Sequence, residues 1–437
     1  MSEIEKNWET VCQLIFAHNN FSEPLQVRQK ALEQLEQFRE QSPYVIHVGF
    51  LLAEGTVHPS CQASLKLQCQ QFGFGLLSSF IISRWIKTQG DDKILFKQKL
   101  VELVTEKLDN SWPRFIKDAC AKVVVELAKR EWPQTWPDFV QTLYNVASRS
   151  TAHETLVLMI YLRLAEDIFE LDSLLTLERR RDLRYSIVQT FENGLLEHII
   201  GEFEKLNLVR KQQNNLDRDQ EILLNVVIDT MNEYLSWLPA NAILKFNSRL
   251  IPLFLESLQI NPLEIKTKLV GCLTNLFQNE CIKGKPTLLD FFCDPLFETF
   301  QAVTGQADYD FFKATTRFFC ALSPHIISLW DSVKTQNKLD IAFKYFTFLL
   351  EMSKNPSQSI SSMTMDMWIR LLRNLSVKQS EPMKKIIPEL IPVLRQRMLK
   401  VGLPSLNNHV ACAYNKQDFT SDDEFSQFFN RMFHTFF

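Results

Sequence analysis

Across residues 339–352 the chain is apolar except for Asp340, Lys344, Thr347 and Glu351, spaced 4, 3 and 4. That spacing puts the polar groups on one stripe of an α-helix and leaves the rest of its circumference apolar. Two other stretches read the same way. Asn225, Asp229, Asn232, Glu233 and Ser236 follow one side of 222–238, and Arg163, Glu166 and Asp167 are the only charges in 156–169. A helix with so narrow a polar stripe must be covered by neighbours on two or three sides. One bundle of this length exceeds an ordinary single core, whereas helix pairs stacked in a line meet the same demand. The pattern predicts an all-α, HEAT-repeat superhelical solenoid. At ~40–47 residues per unit the chain holds about ten antiparallel helix pairs.

Proline positions supply the expected punctuation. Asn110-Ser111-Trp112-Pro113 reads as a helix start, with Ser111 or a neighbour as N-cap. That helix should run to about Arg130, because Pro133 biases Trp132 away from helical geometry. Pro137 opens the next helix, and Pro252, Pro262, Pro286, Pro324 and Pro356 read as later boundaries. Residues 207–220 are polar and predict an exposed loop, with further breaks at 353–362 and 406–423. Gly402 before Pro404 predicts a helix C-cap and stop. Ser421 and Glu424 make a capping box for a last short helix.

Composition narrows the class. The 437 residues include only 11 glycines, far below the usual ~7%. Glycine supplies the positive-φ positions of tight turns and phosphate loops, so a turn-rich β fold and a Rossmann enzyme are disfavoured. A net charge of -3 argues against a simple basic nucleic-acid binder, although a basic face fits within a balanced total. The nine cysteines are odd in number, lack C-x-x-C spacing and lie mostly in apolar stretches. They predict buried free thiols in a reducing compartment. Glu3, Glu5 and Lys6 interrupt any signal-peptide pattern, and the apolar run 72–82 is too short to span a bilayer. A soluble intracellular protein is expected. No nucleotide loop, H-E-x-x-H or zinc spacing occurs, and the eight histidines are scattered. No catalytic residue, metal site or cofactor is therefore predicted.

Three islands carry a resemblance. The first is Lys129-Arg130-Glu131-Trp132-Pro133-Gln134-Thr135-Trp136-Pro137-Asp138. The second is Leu162-Arg163-Leu164-Ala165-Glu166-Asp167, then a leucine-rich turn and Arg179-Arg180-Arg181-Asp182. The third is Lys400-Val401-Gly402-Leu403-Pro404-Ser405, then Tyr414, then Phe-Thr-Ser-Asp-Asp-Glu-Phe-Ser-Gln-Phe-Phe at 419–429. W-P-x-x-W-P is similar to the start of the exportin-type domain in the importin-β (karyopherin) superfamily. All three, in order and spacing, resemble the exportin-5 family over residues 14–429. Members of that family run to well over twice this length, so the chain reads as its N-terminal portion, and the resemblance stops after Phe429.

The resemblance implies a nuclear export receptor, not an enzyme, that shuttles between nucleus and cytoplasm. Its implied partners are Ran in the GTP form, structured RNA with a 3′ overhang such as microRNA precursor hairpins, and the phenylalanine-glycine repeats of the pore. No membrane partner is implied, and GTP belongs to Ran. The corresponding division is 1–105 for importin-β N-terminal-like repeats facing Ran, 106–260 for the exportin-type domain, and 261–437 for further repeats. Lys66, Arg84, Lys117, Lys122, Lys129 and Arg130 are the Ran-facing candidates, and Arg179, Arg180 and Arg181 the RNA-facing ones. Each has a plainer reading. Lys129 and Arg130 end a helix, where cations complement its partial negative charge. Three adjacent arginines spread around a helix rather than forming one site. Trp132 and Trp136 read as corner packing. A karyopherin for protein cargo and a Ran-independent HEAT scaffold are the alternatives.

Overall fold

The computed structural model describes residues 2–169, 175–304 and 308–436. Among these residues every regular element is helical. The leucine-rich turn at 170–174 and Phe437 lie outside the described residues.

Two compact units are present, 1–193 with 216–230, and 194–215 with 231–437. The first holds α1 (Glu3–Asn19), α2 (Leu25–Gln41), α3 (Val45–Ala53), α4 (Lys66–Arg84), α5 (Gly90–Glu102), α6 (Arg114–Glu131), α7 (Phe139–Ala147), α8 (Thr151–Phe169) and α9 (Leu177–Thr190). Here α4, α6 and α8 pack in series, with α3 laid on α4 and α7 on α8. Tight packing of α3 on α4 needs glycine. A Cβ on Gly73 would lie 2.5 Å from the Ala53 backbone nitrogen and 2.8 Å from the Gly49 carbonyl oxygen. Helices α10 (Leu196–Gln213) and α11 (Arg218–Leu235) follow, the unit boundary falling between residues 230 and 231 of α11.

The second unit continues through α12 (Ala240–Leu244), α13 (Asn247–Ile260), α14 (Leu263–Gln278), α15 (Asp294–Thr304), α16 (Tyr309–Ser328) and α17 (Trp330–Thr335). It ends with α18 (Leu339–Ser353), α19 (Gln358–Arg373), α20 (Leu375–Lys378), α21 (Glu381–Arg397), α22 (Ala411–Asp418) and α23 (Asp422–Phe436). Two rows are built. One is α10, α13, α15, α18 and α21, and the other is α14, α16 and α19 with α22 and α23 against α19. Many bonds between stacked helices join residues 43 to 48 positions apart: Arg84 to Arg39, Arg163 to Asp118, Asn275 to Asn232 and His325 to Phe277. That separation is the length of a HEAT unit. The all-α HEAT-type class predicted from the polar stripes is the one observed.

Several local expectations are corrected. Residues 207–220 are mostly helical, with only 214–217 outside α10 and α11. The polar letters conceal a buried row, Phe203, Leu206, Asn207 and Arg210. Asn207 donates to the Phe203 carbonyl at 2.9 Å and accepts from Asn261 at 3.1 Å, so a buried amide stands where a loop was expected. Asn214, at φ 57°, then ends α10. Only 354–357 separate α18 from α19, and α22 occupies the middle of 406–423. Pro252 and Pro324 lie inside α13 and α16 instead of bounding them. Each forgoes one backbone bond, and the buried apolar faces of those helices outweigh that loss. Pro113 itself occupies the N-cap position of α6, with no side-chain cap. Gly402 lies beyond the end of α21 instead of capping it. At φ 86°, it lets the chain approach Ala411, whose Cβ would be 2.5 Å from an added Cβ. Half of the capping box is formed, with Ser421 Oγ accepting from the Glu424 amide at 3.1 Å, while the Glu424 carboxylate accepts from the Thr420 amide at 2.7 Å instead of that of Ser421.

Candidate functional site

The W-P-x-x-W-P segment turns the chain from α6 into α7. Trp132 and Trp136 are both buried, and their rings meet Phe139 at 5.6 and 4.9 Å between centroids. Helix α6 ends facing this corner with its last carbonyls only partly matched, Ala128 accepting from the Trp132 amide at 3.0 Å and Glu131 from that of Thr135 at 2.8 Å. The Arg179 guanidinium of α9 takes them: Nε donates to the Lys129 carbonyl at 2.8 Å, Nη2 to those of Ala128 and Trp132, and Nη1 to Gln134 at 2.7 Å. Arg84 performs the same task for α2, donating to the carbonyls of Ser42 at 2.9 Å, Arg39 at 3.0 Å and Glu40. A planar guanidinium suits both ends because its fork of donors matches several carbonyls at once.

Charges on the buried side of α6 are paired across the stack. Lys129 lies 2.6 Å from Glu126 and 2.7 Å from Asp167 of α8, and Arg130 lies 2.7 Å from Glu126. Burial alone pushes the Glu126 carboxyl up, but Lys129 and Arg130 together outweigh it and leave it below its ordinary value. Glu131 behaves alike. Burial raises it, and bonds from Thr135, Trp85 and Lys97 at 2.6, 2.7 and 3.2 Å bring it below the ordinary value.

The candidate residues therefore divide by environment. Arg84, Lys129, Arg130 and Arg179 have their charges occupied by carbonyls and carboxylates of their own unit. Lys66, at the start of α4, and Lys122, on α6, are exposed. Lys117 is buried along its stem. Burial pulls its ammonium below the ordinary lysine value, against the attraction of Asp219 and Asp109. Arg180 Nε donates to the Leu175 carbonyl at 3.4 Å, and Arg181 is exposed. The triple arginine thus points three ways, and its first member is part of the W-P corner.

Sequence reasoning missed the surroundings of Lys122. Arg114, Asp118 and Lys122 recur every fourth residue and share one face of α6, with the half-exposed Phe115 beside them. Arg163 of α8 reaches Asp118 at 2.9 Å, and Asp229 of α11 reaches Arg114 at 3.9 Å. The result is a ladder of alternating charges across α6, α8 and α11. The i, i+4 spacing on α6 was visible in the sequence, whereas the partners from α8 and α11 were not. Among the described residues no cluster of histidine, cysteine and carboxylate could hold a metal ion, and no helix is long and apolar enough to cross a membrane.

Residues 113–290 match the family model described as Exportin 1-like protein, and residues 306–435 match that of the Exportin-5 family. The chain is similar to exportin-5 of Homo sapiens, 27% identical over 421 residues, covering 92% of this chain and 34% of that protein. It is 26% identical to exportin-5 of Mus musculus, covering 98% of this chain and 36% of the relative. Protein MSN5 of Saccharomyces cerevisiae is 22% identical, with 82% and 31% covered. The chain spans about a third of the length of the curated relatives it matches.

Proposed function

Because this chain belongs to the exportin-5 family, we propose that it acts as part of a nuclear export receptor that binds Ran-GTP and carries structured RNA out of the nucleus. The observation that supports this most is the similarity to exportin-5 across 92% of the chain, with the exportin-type match beginning at residue 113, at the head of α6. On this reading the receptor moves between nucleus and cytoplasm and touches pore phenylalanine-glycine repeats. It performs no chemistry of its own, since GTP is held and hydrolysed on Ran.

Within that function Lys117 is buried, and Ran-GTP would meet the exposed Lys66 of α4 and Lys122 of α6. Their charges remain available to a partner, whereas Lys129, Arg130 and Arg84 hold the stack together. For RNA, Arg181 is the accessible member of the triple arginine. A phosphate backbone needs several such cations at groove spacing, and a receptor of shape needs no base contact. A groove of about 510 Å³ beside Phe297, Phe343 and Phe348 is a place where a pore phenylalanine could dock.

The test is equilibrium binding of the chain to Ran loaded with GTP or GDP, with and without an RNA hairpin bearing a 3′ overhang. GTP-selective binding that the hairpin strengthens is the expected result. Equal affinity for the two nucleotide states would overturn the reading in favour of a Ran-independent scaffold.

A further inference from the structure

A groove of about 780 Å³ opens along the α14, α16 and α19 row and is closed at one end by α23. Its walls mix two chemistries. Met363, Met367 and Met432 give a flexible, polarizable apolar lining, a composition that recurs on surfaces receiving varied peptide side chains. Over it stand four cations, Lys283, Arg317, Arg370 and Arg431, against two carboxylates, Glu280 and Asp366. The carboxylates are already engaged, Glu280 by Lys283 at 3.2 Å and Asp366 by Arg370 at 3.0 Å. Arg317 is exposed and forms no ion pair among the described residues. The groove is therefore net positive in a chain whose total charge is -3.

Its floor carries a buried polar atom without a match. His325 is buried, and its Nε2 meets the Phe277 carbonyl at 2.6 Å. Its Nδ1 is buried with no partner. Burial holds the ring below the ordinary histidine value despite that bond, so Nδ1 is an acceptor at neutral pH. Pro324 brings no N–H to the carbonyl of Cys320 one turn earlier. Burial pushes the Cys320 thiol up to about 12, so it stays protonated and supplies no nucleophile.

We propose that this groove is a docking site for an acidic amphipathic peptide segment of a protein partner, its carboxylates on Arg317 and neighbouring cations and its apolar side chains among the methionines. Charge complementarity selects the occupant. A nucleic-acid backbone would meet Glu280 and Asp366 and gain nothing from methionine walls, whereas a peptide uses both chemistries. Helix-in-groove recognition reads such partners through anchors at i, i+3, i+4 and i+7. The site needs neither Ran nor RNA.

The experiment is fluorescence anisotropy with a labelled helical peptide of leucines and glutamates at that spacing. Its counterparts carry glutamine or lysine in place of glutamate, and a double-stranded RNA of similar length is the competitor. Binding of the glutamate peptide, roughly tenfold weaker with glutamine, is expected. Arg317→Glu should cost at least as much, and Arg317→Gln an intermediate amount. Arg317 is exposed, so unchanged thermal unfolding of both variants certifies the fold. The proposal is overturned if the glutamate peptide does not bind, if the glutamine peptide binds as well, or if both variants keep wild-type affinity. Displacement by the RNA, with RNA binding lost in Arg317→Glu, also overturns it and assigns the groove to phosphate.

Discussion

Replacing Lys129 by methionine should destabilise the first unit far more than removal of a surface lysine. Its ammonium lies between Glu126 and Asp167 at 2.6 and 2.7 Å, with side-chain exposures of 10%, 10% and 17%. Breaking a buried pair by removing one partner costs ~3–5 kcal/mol, because the other charge stays buried. Glu126 keeps Arg130 at 2.7 Å, so Asp167 is the carboxylate left without its cation, and the lower end, ~3 kcal/mol, applies. For a unit of about 200 residues that lowers the unfolding midpoint by ~6–12 °C. The double variant Lys129→Met/Asp167→Leu should regain most of the loss, since an apolar pair replaces an ionic one. A pH signature accompanies it. Glu126 has a folded value below its ordinary 4.5, so its contribution is present above that value and lost as pH falls through the folded one. Lys129→Met should shrink this acid-dependent step. Thermal and urea melts followed by circular dichroism across pH 3–7 measure both. A loss under ~1 kcal/mol, typical of an exposed pair, would refute the buried-network reasoning.

Other outcomes follow from the same geometry. Gly73→Ala places a methyl 2.5 Å from backbone and should cost ~1–3 kcal/mol in melts, whereas Gly75→Ala, in open space on the same helix, should be neutral or stabilising. Asp418 is 4% exposed at its side chain and joins Tyr309, Ser357 and Lys313 across α16, α19 and α22. Asp418→Ala should cost ~3 kcal/mol in urea unfolding of the second unit. Arg179→Ala should speed hydrogen exchange at the end of α6 and leave the salt dependence of RNA binding unchanged. A reduced salt slope would show that Arg179 meets phosphate.

The helical class was legible because one polar stripe per helix is a local property. In α18, Asp340, Lys344 and Glu351 are exposed while Tyr345, Phe346 and Leu349 are buried. The W-P corner was legible too, since proline and tryptophan act within ten residues. What failed was any judgement that depended on the next unit of the stack. Lys129, Arg179 and Arg84 read as surface cations, but their partners lie 38 to 51 positions away on a neighbouring helix. Arg210 and Asn207 misled for the same reason, since covering them is the work of other helices. Pro252 and Pro324 misled because a single missing backbone bond is small beside the packing of a whole helix.

The most direct measurement titrates Ran-GTP into wild-type chain, Lys122→Glu and Lys129→Met, with each variant's melt recorded alongside. If recognition uses the exposed lysines of α4 and α6, Lys122→Glu weakens binding roughly tenfold at an unchanged midpoint. Lys129→Met then lowers the midpoint and, below it, binds with wild-type affinity. The opposite pattern, full affinity in Lys122→Glu and lost affinity in folded Lys129→Met, would contradict the division between binding and structural cations.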